Sequence, residues 1–238
     1  MDNIRLTPRF SLNKLAEYLV GSPRRRRRLI LDQIESKVYK TVRYDKARAI
    51  LQRFVCDPTR NTSWLQSAAA RLRDRAGEAG REPFEAKCLR ASARAIEAFL
   101  PIASDFRYSD VIAVPGARQN SFMMIGGVKI SVLPDVTIIR PGTERQVGAI
   151  KFHISATYPL SEASLRYAAL LLFRYAEERG GDPSREFSEV VDVFGATYES
   201  TPRATKRMLM DVEAACEEIA ERWPHLIDVV LREQQSTS

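Results

Sequence analysis

Two side chains of opposite charge stand at a spacing that suits joint chemistry. Asp135 directly follows Pro134, and Lys151 comes sixteen positions later. A carboxylate offers hard oxygen ligands to a divalent cation, and an ammonium can orient a water or stabilise charge that develops on a phosphate. His153, two residues further on, points the same way as Lys151 if both lie on a strand, which makes it a candidate base. Each also has a plainer reading. Asp135 and Lys151 would form a cross-strand ion pair of modest value, and a lone strand histidine is commonly a polar surface residue.

A hairpin would bring the pair together. From 128 to 138 the even positions are Val, Ile, Val, Pro, Val and Ile, while Lys129, Ser131, Asp135 and Thr137 occupy odd ones. That period of two marks a strand with one buried face. The return run places Ile150, Phe152 and Ile154 on one face, with Ala149, Lys151, His153 and Ser155 on the other. Pro141, Gly142, Thr143 and Glu144 between them have turn composition. A turn centred near Thr143 sets Asp135 opposite Lys151, Thr137 opposite Ala149 and Leu133 opposite His153. A slip of one residue would turn the apolar set outward, so the burial pattern itself selects this register.

The remaining elements follow from periodicity and caps. Helices are expected at 11–20 behind Ser11, from Ser22-Pro23 onward, at 43–56, at 62–79 and at 84–103. Two more are expected at 161–179 and from Thr201-Pro202 to Trp223, the latter ended by Pro224. Strands are expected at 110–114, 120–125 and 189–194. The fold class is α/β, and from 84 to 195, setting aside the short run at 110–114, the order reads helix, three strands, helix, strand.

That order, with Pro134-Asp135 on one strand and Ala149-Ile150-Lys151 on the next, resembles the PD-(D/E)XK nuclease superfamily. The resemblance covers about half of the chain. It implies a restriction-endonuclease-like αβββαβ core with a mixed sheet, here preceded by a helical N-terminal region and followed by a C-terminal helix. It also implies a catalytic pair, Asp135 and Lys151, with Asp135 as ligand to Mg²⁺ if the chain is active. The acid expected two residues before the lysine is Ala149. A second carboxylate would then come from elsewhere, with Glu97 on the preceding helix preferred over Glu85 and Glu162. RecB-like members carry a glutamine four residues before a tyrosine on the next helix, and this chain has Ala163 and Tyr167 there.

Charge is unevenly placed along the 238 residues. Positions 1–82 hold 19 Lys and Arg against 9 Asp and Glu, and positions 83–238 hold 18 against 21. This sign change suggests a basic helical region at 1–82 joined to a core at 83–238. Arg24, Arg25, Arg26, Arg27 and Arg28 crowd a helix N-terminus, where cations oppose the macrodipole, so helix stability does not explain them. Asp32 or Glu35 can pair with Arg28, but the run exceeds its local acids. With Arg71, Arg73, Arg75 and Arg81 it suggests phosphate contacts, or alternatively an acidic protein partner or a solvated charged face.

Other chemistry is excluded by composition. There is no Walker loop, no Gly-rich dinucleotide turn after a strand, no paired CxxC and no serine elbow. Three widely spaced cysteines suggest reduced thiols and a cytoplasmic setting, and nothing approaches a membrane span. The expectation is a nucleic-acid-binding protein with a nuclease-like core, acting on DNA if a metal site is completed. The alternative is an inactive nuclease-like fold that serves as an interaction subunit of a nucleic-acid-processing or defence complex.

Overall fold

The computed structural model describes residues 4–35, 42–78, 80, 82–106, 108–117 and 121–235. Five strands form the central sheet: β2 (Ile112–Pro115), β5 (Val136–Ile139), β6 (Gln146–His153), β7 (Ser188–Asp192) and β8 (Thr197–Ser200), paired in that order. The β2–β5, β5–β6 and β7–β8 pairs are antiparallel, and β6–β7 is parallel across helix α6 (Glu162–Glu178). A smaller sheet holds β1 (Arg9–Ser11), β4 (Val128–Ser131) and β3 (Phe122–Ile125).

Both faces of the large sheet are covered, because alternate residues on its middle strands feed opposite cores. Ile150, Phe152 and Val191 join a core with α3 (Asp45–Cys56), α4 (Thr62–Gly77) and α5 (Pro83–Phe99). Ala149 and Val190 join a second core with α1 (Leu12–Val20), α2 (Pro23–Ile34), α6 and α7 (Lys206–Gln235). The result is a three-layer mixed α/β molecule. Each core draws residues from both sides of position 82, so the change of charge there is not a packing boundary.

The capping signals place the helices well. Ser11 accepts a hydrogen bond from the Lys14 amide and Ser22 accepts one from the Arg25 amide, with Pro23 in the first turn.

Two expectations need correction. The run 128–138 is two strands in two sheets: the chain bends at Leu133, whose φ is +44°, and passes from β4 to β5. The alternation survives the bend because Val132 and Pro134 are buried too. The final helix does not stop at Pro224 but continues to Gln235. A helix-interior proline costs roughly 3 kcal/mol. Burial of Leu226 and Val230 beyond it returns about 1.5–3 kcal/mol each, so continuation wins.

Candidate functional site

The hairpin register is the one set by burial. Thr137 pairs with Ala149 and Val136 with Ile150, before a shift between Ile138 and Ile139. Asp135 lies just past the last rung. Its backbone N–H donates to the Ile150 carbonyl at 2.9 Å. Its Oδ2 accepts the Phe152 N–H at 2.8 Å, the donor that a further rung would have used. Leu133 does not pair with His153. After the bend, its carbonyl instead accepts a hydrogen bond from Lys151 Nζ.

Asp135 is 5% exposed, and cations meet both of its oxygens. Arg48, from α3, donates to Oδ1 at 2.5 Å, and Lys151 Nζ stands 3.5 Å from Oδ2. Arg48 also reaches the Phe152 carbonyl at 3.4 Å. One turn on, Gln52 donates to the Asp135 carbonyl at 2.5 Å, and the Gly116 N–H donates to the same oxygen at 3.0 Å. Gly116 is required there, because a Cβ would fall 2.1 Å from the Pro134 carbonyl oxygen. The strand lysine, the helix arginine and the ladder amide thus all face the carboxylate.

This donor set does not fit Mg²⁺. A metal site of this kind needs at least two carboxylates arranged around open positions. Ala149 is fully buried in the core, and among the described residues no three His, Cys, Asp or Glu side chains gather as a metal-holding group. Glu97 does not join Asp135; its carboxylate pairs with Arg73 of α4. Glu162 pairs with Arg166 one turn along α6, and Glu85 is exposed at the start of α5.

His153 is buried rather than on the surface. Its Nε2 donates to the Tyr158 carbonyl at 2.7 Å, which leaves Nδ1 to accept from Asn13 Nδ2 at 3.3 Å. Burial pushes its pKa down, consistent with this neutral form. Both nitrogens are committed to structure, so it is not a free base.

The arginine clusters are not brought together. Arg24 to Arg28 start α2, in the layer with α1 and α7, while Arg71, Arg73 and Arg75 lie on α4 in the opposite layer. Arg25 pairs with Glu17, Arg26 donates to the Tyr18 and Leu19 carbonyls and to Glu218, and Arg28 pairs with Asp32 at 3.1 Å. Arg24, Arg27, Arg71 and Arg75 are exposed and make no ion pair among the described residues. Arg81 lies outside the described residues.

Sequence reasoning missed Arg48 and Gln52. Their spacing of four put them on one face of α3 beside the apolar stripe of Ala47, Leu51 and Phe54, but no pattern in the chain says what that face meets.

Fold and geometry together define a three-layer α/β protein with a cation-compensated carboxylate at the end of a ladder. No family model matches the chain, and comparison with curated proteins and with solved structures gave no match either. Among the described residues no helix is long and apolar enough to cross a membrane. Cys56, Cys88 and Cys216 are free thiols.

Proposed function

We propose that this chain binds nucleic acid through a restriction-endonuclease-like core that does not cleave. The connection order supports the core assignment. Helix α5, strands β2, β5 and β6, helix α6 and strand β7 run in the αβββαβ order, with the β3–β4 hairpin inserted and β8 added at the edge. One observation carries the loss of cleavage. Arg48 and Lys151 already occupy the carboxylate that would hold a metal, while the companion position is a buried alanine.

Binding is assigned to the α1–α2 side. There the exposed Arg24 and Arg27 share helix α2 with Arg25, which lines a cavity together with Lys14 and Arg43. Such phosphate contacts are electrostatic and sequence-independent, so affinity falls steeply with salt.

The test measures fluorescence anisotropy of labelled single- and double-stranded DNA and RNA at low and physiological salt, with a parallel cleavage assay in Mg²⁺ and Mn²⁺. Salt-sensitive binding, weakened by Arg24→Ala with Arg27→Ala and unaccompanied by cleavage, is expected. No binding at low salt overturns the proposal. So does cleavage that Asp135→Ala abolishes.

A further inference from the structure

A cavity of about 610 Å³ opens between α1, α2, the start of α3 and the loop after β6. Its size falls within the range of small-ligand sites. Five cations and three acids line it, a formal excess of two positive charges. Asp32 is taken by Arg28, Arg48 by Asp135, and Lys14 and Arg25 share Glu17, so Arg43 is the lining cation that an anion would meet first.

Arg43 is exposed at the rim, lies over the Tyr44 ring at 5.5 Å from its centroid and makes no ion pair among the described residues. Lys14 and Arg25 share Glu17 and flank the Tyr158 ring, at 5.5 Å and 4.7 Å from its centroid. Burial pushes Glu17 up, but hydrogen bonds and charge from Lys14 and Arg25 outweigh it and hold the carboxyl below its usual range. Each cation still has N–H donors to spare, and the stacked guanidinium and phenol rings present flat, polarisable surface.

The floor is set in advance by His153, held on both ring nitrogens. Beside it, Asn13 Oδ1 is shut from solvent and accepts no hydrogen bond among the described residues. Such an unmet buried acceptor carries a cost that a ligand N–H would relieve after a small shift of the side chain.

A ligand that brings negative charge, a flat ring and an N–H donor together is a nucleotide. We infer that this cavity binds one nucleotide, its phosphate on Arg43 and the Lys14–Arg25 pair and its base against the Tyr158 platform. The inference rests on the nucleic-acid reading above, and it names the part of the strand that the protein grips. The nucleotide is either free or the end of a strand, and the chemistry is shared.

Isothermal titration of the full chain with AMP, adenosine and inorganic phosphate, followed by 5′-phosphorylated and 5′-hydroxyl single strands, tests it. One AMP is expected per chain, with adenosine and phosphate each at least about tenfold weaker. Arg43→Ala and Tyr158→Ala are each expected to weaken AMP about tenfold, the size of a lost charge-assisted hydrogen bond or a lost stacking contact. Both side chains are well exposed, and unchanged thermal melting shows that the variants fold. Preference for the 5′-phosphorylated strand assigns the site to strand ends; equal strand affinity that AMP does not compete away assigns it to free nucleotide. Strand binding without AMP binding overturns the cavity assignment and leaves the nucleic-acid proposal standing. AMP binding without strand binding keeps the cavity and overturns that proposal. AMP binding indifferent to both substitutions overturns the assignment.

Discussion

Two buried carboxyl groups sit on the same sheet, two strands apart, in opposite electrostatic circumstances. Asp135 has an arginine, a lysine and a backbone N–H on its oxygens. Glu189 on β7 is 7% exposed and has the Tyr108 hydroxyl, which donates to its Oε2. Burial pushes Glu189 up to about 7 despite that hydrogen bond, and burial also raises the Tyr108 hydroxyl. The contrast teaches what the β5–β6 end is built for. Ion pairing holds a charged group in a dry place, whereas a neutral partner leaves its acid to keep the proton. The charge at the ladder end is already spent inside the chain.

Removing the charge at the ladder end should have the largest effect. Asp135→Ala leaves Arg48 and the Phe152 N–H without their acceptor and should lower unfolding free energy by about 3–5 kcal/mol in urea titrations. A loss near zero would mean that the cations hold nothing there.

The second test is a pH profile of Glu189→Gln. The acid is protonated more readily in the folded chain, near 7, than at its ordinary 4.5. Wild-type stability from this group is therefore full below about 4.5 and falls as pH rises to about 7, by about 3 kcal/mol. The glutamine variant should lose that slope and be the more stable protein above neutrality. A wild-type profile unchanged by the substitution would remove the contrast.

Arg48→Met should cost about 2 kcal/mol, less than loss of the aspartate, because Lys151 and the amide N–H remain with Asp135. In a double-mutant cycle with Asp135→Asn, strong coupling is expected. The smallest effect belongs to Arg24→Ala and Arg27→Ala, each under about 0.5 kcal/mol in stability. Both should instead reduce the salt slope of nucleic-acid binding by about one per residue.

The hairpin register was legible because a one-residue slip would have exposed Val136, Ile138, Ile150 and Phe152 together. Helix starts were legible at Ser11 and Ser22 because capping is local chemistry. The bend at Leu133 was not, since a chain leaving one sheet for another can keep its burial alternation without a glycine to mark the place. Strands β1 and β8 escaped notice as well: one has three residues, and the other has no fully buried side chain to set a period. For the site, Asp135 and Lys151 were found by spacing, while Arg48, Gln52 and Asn13 come from distant helices and make sense only after packing. The preferred second acid, Glu97, lay beside the apolar stripe of α5, but on the flank that α4 covers.

Because neighbouring residues of β6 and β7 side with different cores, the sheet works as a common wall between two rooms. Helices α1 and α2 finish one room, and α3 with α4 finish the other. Severing the polypeptide ahead of Pro83 would strip cladding from both flanks at once, so neither fragment should survive protease alone, and the two should be recovered only as a pair.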